Sequence, residues 1–445
     1  MKIAFVQFSN GGIIRGAGYV VSSIINEGHD LYFFDIYDYK IKEIVKSIFE
    51  NDCELLLLSV MTLDIPLAIT LISKIKNKKD IPVLVGGIHP TITGAELLEQ
   101  YPQIDYLCIG EGESMIIDFL NNFGKSSLFQ VQNLAFRKDG KVIINSLRSP
   151  ENLNNLSAFP WYLYDKNRIV TADGFTYVTA TRGCPFKCTY CCNKIYLDYY
   201  GMNYLRKRPI DQIISELLLL KKEYPVRLFY FGDEMLLWDK EYAINLFHSI
   251  KKYVDIPFGF MSRVESITPE IVNTAVQTGC KYVGMGIECG DERFRKTYLK
   301  RIMSNQQIEN AFTLLKSAGI FTTSFNMIGF PFENDEELTK ATIELNKKIN
   351  PDFVQVSIFY PFPRTELFDR CVELDLIDKS KVNKFSNYYD DSILKGISLS
   401  NRRKEIENMF NSKWNWYKRW GLPNQLFSIV SLTKRKIKQF KKNMI

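Results

Sequence analysis

The stretch RGCPFKCTYCC, residues 182–192, decides how the rest of the chain is read. The protein has nine cysteines in 445 residues, yet Cys184, Cys188, Cys191 and Cys192 all fall in this one stretch, three of them spaced CxxxCxxC. Three thiolates separated by three and two residues can wrap one inorganic cluster from a single loop, and Pro185 keeps that loop from becoming helical. The competing use is zinc, whose structural sites close with four ligands. No second CxxC follows, and the only histidines are His29, His89 and His248. Cys192 is a formal fourth candidate, but two adjacent cysteines rarely both reach one tetrahedral ion. Three cysteines on a four-iron cluster leave one iron open to a cofactor or substrate.

Composition sets the surroundings of this loop. With 46% hydrophobic and 24% charged residues, the chain is globular rather than disordered and long enough for two or three cores. Met1-Lys2 is followed at once by IAFVQF and a Gly-rich turn, which is not a signal-peptide pattern, and no apolar run approaches the roughly 20 residues that span a bilayer. The expected compartment is the cytoplasm, where thiols stay reduced and clustered cysteines serve metals or redox chemistry. The net charge of +7 is local: nine Lys or Arg and no Asp or Glu lie between Lys413 and Ile445, leaving the other residues at −2. The active site therefore inherits nothing from the overall basicity.

The cysteines follow the first strand of an α/β series. Strands are expected near 176–181, 227–232, 257–262, 281–288, 322–329 and 353–359. Helix signals stand between them: Thr268 as N-cap with Pro269 behind it, and Ser304 before QQIENAFTLLKSAG with Gly319 as its stop. Six such units suggest a partial (β/α)6 barrel over 171–370, with its chemistry at the C-terminal ends of the strands.

Upstream, the runs IAFVQF, DLYFFDI, ELLLLSV, IPVLVGG and IDYLCIG alternate with helix-length segments such as Ile65 to Lys76. That rhythm predicts a doubly wound parallel sheet with ligands at its strand ends, where SNGG, SVMT, GGIHPT and GEGE lie. Glycines and small hydroxyls there let a bulky flat ligand approach the backbone, although a glycine after a strand is often only a turn. NLAFRKDGKVIIN around Asp139-Gly140 reads as a hairpin, closing a first domain over 1–147. The Pro-, Asn- and Ser-rich segment 148–170 reads as a linker.

The loop Cys184, Cys188 and Cys191 resembles that of the radical S-adenosylmethionine (SAM) enzymes. The resemblance implies a [4Fe-4S] cluster whose open iron is chelated by SAM, and reductive SAM cleavage to a 5′-deoxyadenosyl radical. It also implies SAM contacts at successive strand ends. Gly232, Asp233 and Glu234 stand where the family has a GGE-like turn, with either carboxylate a candidate for the SAM ammonium. Arg263 is a candidate for the SAM carboxylate, Glu288 for the ribose hydroxyls, and Ile328 with Gly329 for the adenine side; Tyr190 fills the aromatic slot before the last cluster cysteine. Each of these, taken singly, also reads as a surface charge or core residue.

The N-terminal sheet makes the whole similar to the cobalamin (B12)-binding radical SAM enzymes, over about residues 1–370. That resemblance maps Ser59, Gly86 and Gly87 to the pocket of the cobalamin nucleotide tail. One departure stands out. The loop after the first strand reads SNGGIIRG, without the DxHxxG pattern that supplies a lower axial histidine in many cobalamin proteins, and His89 on another loop reads as a turn histidine.

The function so implied is methyl transfer to an unactivated carbon through methylcobalamin. Cyclisation or rearrangement with the same cofactors is the enzymatic alternative, and a zinc-stabilised membrane or nucleic-acid binding protein the alternative of another class. The expected partners are a small-molecule or lipid-linked substrate and an electron donor such as flavodoxin or ferredoxin. Residues 371–445 form a helical C-terminal region, with a charged helix around Asn401 to Asn411, then KWNWYKRWG and SLTKRKIKQFKK. Aromatics among cations suit peripheral contact with the inner face of a membrane, and equally a solvated tail. Nucleic acid is not expected, since no recognition fold accompanies the charge.

Overall fold

The computed structural model describes residues 1–9, 11–382, 389, 391–396 and 398–411. The chain divides into two compact units, the first ending at Arg168 and the second starting at Ile169. The basic tail 413–445, with the membrane contact expected of it, lies outside the described residues. No helix among the described residues is long and apolar enough to cross a membrane.

The first unit is a seven-stranded sheet built from β1 (Lys2–Gln7), β2 (Asp30–Asp35), β3 (Leu55–Ser59), β4 (Val83–Gly86), β5 (Tyr106–Cys108), β6 (Leu134–Lys138) and β7 (Lys141–Ile144). Its order is β2-β1-β3-β4-β5-β6-β7, parallel through β5 and antiparallel after it. The apolar runs are continuous rather than alternating because both faces are covered. Ile3, Phe5, Leu55 and Leu57 pack with helices Arg15–Asn26 and Glu113–Asn122 on one face. Ala4, Val6, Leu56 and Leu58 pack with Ile41–Glu50 and Ile65–Lys76 on the other. The strand order reverses between β1 and β3, where doubly wound sheets bind ligands. The expected hairpin is present as β6 and β7, and it pairs with β5 to extend the sheet.

The segment expected as a linker folds back on this unit. Ser22 Oγ donates to Ala158 O at 2.8 Å, and the Arg15 guanidinium lies 3.9 Å from the Phe159 ring centre and 4.7 Å from that of Trp161. Gly18 admits Phe159, since a Cβ there would stand 2.2 Å from the ring. Apolar anchors Phe159, Trp161 and Tyr164 outweigh the loop-forming composition that surrounds them.

The second unit contains β8 (Phe175–Val178), the short strands β9 (Thr181–Arg182) and β10 (Arg206–Lys207), then β11 (Leu228–Phe231), β12 (Phe258–Ser262), β13 (Cys280–Glu288), β14 (Phe321–Ile328) and β15 (Phe353–Ile358). Six of these form an open parallel sheet in the order β15-β14-β13-β12-β11-β8, while β9 and β10 pair as a separate antiparallel ribbon. The helix signals hold: Thr268 Oγ1 accepts from Ile271 N, Ser304 and Gln307 form a capping box, and Gly319 has a φ of +73°. The charged helix Ser400–Asn411 is not solvated throughout. Asn411 exchanges hydrogen bonds with the backbone of Val354 at 3.0 and 2.9 Å, and Glu407 accepts from Val356 N at 3.0 Å, so this helix covers the edge strand β15.

Candidate cofactor-binding sites

In the second unit, chain direction brings β8 into the cysteine loop. Gly183 makes the first bend with φ +100°, where a Cβ would lie 2.5 Å from Tyr204 O. Asp233, at the end of β11, ties down the root of the loop: its Oδ1 accepts from Ala180 N at 2.9 Å, Thr181 N at 2.5 Å and Thr181 Oγ1 at 2.6 Å. Its Oδ2 is buried without a partner, and burial pushes the carboxyl up to about 6. At the far side Thr189 donates its hydroxyl to Tyr298 O at 2.5 Å and accepts Leu367 N at 3.0 Å.

Cys184, Cys191 and Cys192 are half-buried and Cys188 is buried. Burial pushes the Cys184 thiol up to about 11. A hydrogen bond between the Cys191 and Cys192 side chains raises Cys191, as burial also does, and lowers Cys192 against the effect of burial. Buried thiols of this kind become thiolates only beside a compensating cation, which iron supplies. Among the described residues no group of three or more His, Cys, Asp or Glu converges on a single ion. Three thiols on one loop suit a multi-iron cluster with one iron left open.

The other strand ends surround this loop with charge. Arg263, after β12, is 7% exposed. It donates to Cys188 Sγ at 3.3 Å and to Glu265 at 2.6 Å, and lies 3.7 Å from the Phe186 ring centre. Its guanidinium is thus directed at Cys188, a partner its position after the third strand did not suggest. Glu288 ends β13 with a φ of +69°, rare for a residue with a side chain. Its carboxylate is 3.5 Å from Arg301, which also donates to Gly286 O at 2.5 Å and to the Tyr190 hydroxyl at 3.3 Å. Gly286 makes room for this pair, because a Cβ there would stand 2.6 Å from Glu288 Oε1. Tyr190, Glu288 and Arg301 are therefore one network, in which burial works against the guanidinium charge while Tyr190 and Glu288 raise its pKa.

Two expectations need adjusting. Of the pair Asp233 and Glu234, Asp233 is committed to the loop backbone, while Glu234 is exposed and its charge bears on Cys192. Ile328 packs against Ile343, Val354, Val356 and Ile406, so its side chain faces the helices and not the interior of the half-barrel. The turn at Gly329 is held by Asp335, which accepts from Gly329 N at 2.6 Å and Phe330 N at 3.1 Å.

In the first unit the turns after β3 and β4 nest together. Gly87 takes φ +104° and ψ −168°, and a Cβ there would stand 2.6 Å from Val60 O, 2.9 Å from Val60 N and 3.4 Å from Ser59 Oγ. Gly86 is ordinary by comparison, its Cβ position lying 3.4 Å from the nearest atom. His89 is buried, pairs its Nδ1 with Thr62 Oγ1 at 3.1 Å, and is lowered by burial to about 4, hence neutral. Beside these turns, open space remains at Gly12 in the loop after β1 and at Gly16 in the first turn of helix Arg15–Asn26. The loop's shape is fixed by Asp35, which accepts from Ser9 Oγ at 2.9 Å and Gln7 Nε2 at 2.5 Å. Arg168 donates to Asp35 at 2.6 Å, Ser9 Oγ at 2.9 Å and Gly12 O at 2.9 Å. Gly87 thus lets the turns after β3 and β4 nest, and open space for a ligand remains at Gly12, beside the switch point between β1 and β3.

Sequence reasoning missed Arg301, Glu265, Asp35 and Arg168. All four look like surface charges in the sequence, and only their burial distinguishes them. The one local hint is the glycine two positions before Glu288.

A doubly wound sheet followed by an open parallel half-barrel with a three-cysteine loop defines an α/β enzyme with two cofactor-binding units. Residues 178–345 match the radical SAM superfamily and residues 2–120 the B12 binding domain. The chain belongs to the cobalamin-binding radical SAM enzymes, whose cofactors are a [4Fe-4S] cluster, SAM and cobalamin. It is 28% identical over 366 residues to an uncharacterized methyltransferase, PH0819, of Pyrococcus horikoshii, covering 80% of this chain and 78% of that protein. It is 26% identical to the anaerobic magnesium-protoporphyrin IX monomethyl ester cyclase of Rubrivivax gelatinosus, covering 69% of this chain and 56% of the cyclase. Its fold is similar to that of the radical SAM methyltransferase TsrM of Kitasatospora setae, with a TM-score of 0.69 at 15% identity over 84% of this chain and 76% of TsrM.

Proposed function

We propose that this enzyme transfers a methyl group to an unactivated carbon of a small-molecule substrate. The observation that carries the reading is the presence in one chain of the Gly87 cradle and the three-cysteine loop, in a protein whose match to a methyltransferase runs over most of both chains. The cyclase likeness is weaker support for a rearrangement, because the chain spans only 56% of that relative. When bound, the cluster and SAM supply a hydrogen-abstracting radical, and cobalamin supplies the methyl group.

Within this reading Cys184, Cys188 and Cys191 hold the cluster, and Cys192 tunes Cys191 through their shared hydrogen bond. Arg263, steadied by Glu265 and Phe186, donates to the Cys188 sulfur. Glu288 accepts the SAM ribose hydroxyls, with Arg301 fixing its carboxylate and the Tyr190 ring. Gly232 and Glu234 receive the SAM ammonium, Asp233 acting beneath them as the loop anchor, and the Gly329 backbone borders the adenine. Ser59, Gly86 and Gly87 line the cobalamin tail pocket, and neutral His89 keeps its turn in shape without ligating cobalt. A flavodoxin or ferredoxin is the electron donor, and a cytosolic setting agrees with nine unpaired cysteines. The test is product mass after anaerobic turnover with candidate substrates: a gain of one methylene unit supports methyl transfer, and an unchanged or dehydrogenated skeleton rejects it.

A further inference from the structure

The inner face of the half-barrel differs from a filled barrel core. Alternation along the strands sends Phe258 and Phe260 outward, where both rings pack on Phe247 at 4.8 and 5.3 Å. The opposite face carries Tyr177 on β8, Tyr230 on β11, Gly259 on β12 and Tyr282 on β13, all paired in register. The three tyrosine rings meet edge to face, with centres 5.3 Å apart at each step. In a closed parallel barrel, bulky side chains fill this space in layers. Here glycines occupy the inward positions 259, 284 and 286.

These glycines let aromatic rings lie flat on the sheet. A Cβ at Gly259 would meet the Tyr282 Cβ at 2.8 Å and the Tyr230 ring at 3.1 Å, and one at Gly284 would meet the Phe325 ring at 2.7 Å. The resulting floor is not sealed. Tyr177 is 40% exposed, and Met261, Tyr282, Phe325 and Met327 are all half-buried. Aromatic rings left open in this way are costly in water unless a ligand covers them.

Charge narrows what that ligand is. Among the described residues, Glu288 is the only charged side chain at the inward-facing strand positions, and Arg301 compensates it at 3.5 Å. The polar side chains at the lower strand positions are uncharged, including Gln355, which donates to the Tyr389 hydroxyl at 2.7 Å, and Tyr282, which bonds Thr323, and the charges that bear on them from the strand starts, Asp173 on Tyr177 and Asp352 on Tyr282, are negative. The cations that border this floor, Arg301 and Arg263, are already paired with Glu288 at 3.5 Å and Glu265 at 2.6 Å, so a phosphate or carboxylate brought to it would have to compete with a carboxylate for its partner.

We infer that this face is the substrate subsite and that it takes a molecule with a flat aromatic body and no anionic group. The inference adds a substrate class to the methyl-transfer reading and rests on it only in calling the bound molecule a substrate. The test uses the full chain, reconstituted anaerobically, with indole as the neutral probe and cytidine monophosphate as the charged one, followed by saturation-transfer NMR and calorimetry. Indole binds and the nucleotide does not; Phe325→Leu, which removes one ring of the floor, weakens indole roughly three- to tenfold. Gly284→Leu, which pushes a side chain into the Phe325 ring, weakens it at least as much, and if that variant fails to fold Phe325→Leu decides alone. Nucleotide binding as tight as indole binding, absent indole binding, or indole affinity unchanged in Phe325→Leu overturns the inference. Iron, cobalt and SAM binding are measured on the same samples. Loss of those with indole still bound rejects the reaction and spares the subsite, whereas intact cofactors with nucleotide preference reject the subsite alone.

Discussion

Gly87→Ala is the most informative single change in the N-terminal unit. The residue sits at φ +104° and ψ −168°, a region open essentially only to glycine, so a side chain there costs about 1 to 3 kcal/mol in backbone strain. A Cβ would also stand 2.6 Å from Val60 O and 2.9 Å from Val60 N. These are backbone atoms of the neighbouring turn and cannot rotate away. Prising the two turns apart adds about 1 to 3 kcal/mol, the usual range for overpacking. A combined loss near 4 kcal/mol would lower the urea midpoint of this unit by about 2 M, given an m-value of about 2 kcal/mol/M. The turns join Ser59 at the end of β3 to the helix Ile88–Thr93 that carries His89, so cobalamin affinity should fall by roughly tenfold or more in whatever protein stays folded. The assay is a urea titration of the full apo chain, paired with an absorbance titration of cobalamin. Gly86→Ala is the control, since its Cβ would make only a 3.4 Å contact with Cys108 Cβ. An unchanged midpoint and affinity in Gly87→Ala, or greater damage in Gly86→Ala, would refute the reasoning.

Other variants test the second unit and the cobalt. Asp233 has a folded pKa pushed up from 3.8 to about 6, so its stabilisation is complete below pH 3.8 and is lost as pH rises through 6. The stability difference between Asp233→Asn and the parent should therefore shift by about 2 kcal/mol toward the variant from pH 4 to 6.5; a flat difference in denaturant titrations would count against the buried carboxylate. Glu288→Gln and Arg301→Met should weaken SAM binding by roughly five- to 150-fold with iron content intact, because each leaves a buried polar partner unpaired. Calorimetry showing unchanged SAM affinity in both would remove the network from the SAM site. The cob(II)alamin form should show no three-line superhyperfine splitting that depends on His89 in electron paramagnetic resonance, since His89 is committed to Thr62; a splitting that vanishes in His89→Ala would make that histidine the axial ligand.

The fold was largely legible because its signals are local and periodic. Apolar runs of strand length, the cap at Thr268 and the capping box at Ser304 all depend on neighbours within a few residues. The spacing of Cys184, Cys188 and Cys191 was legible for the same reason, since all three lie on one loop. What escaped the sequence depends on burial across the chain. Arg168 closes on Asp35 from 133 positions away, and Arg301 reaches Tyr190 across 111. The strap at Phe159 and Trp161 was read as a linker because Pro, Asn and Ser dominate its composition, while its few large apolar residues decide where it packs. Ile328 shows another limit: the strand end was correctly located, yet alternation turns that side chain to the helices.

Metal content of one anaerobic preparation tests the cofactor assignment most directly. The full chain, reconstituted with iron, sulfide and cobalamin, should be brown and hold about four irons and one cobalt. Iron should be lost in Cys184→Ala, Cys188→Ala and Cys191→Ala and largely retained in Cys192→Ala, while cobalt is held in all four. A colourless protein with one zinc, or equal iron loss in Cys192→Ala, would contradict the three-ligand cluster from which the functional assignment is built.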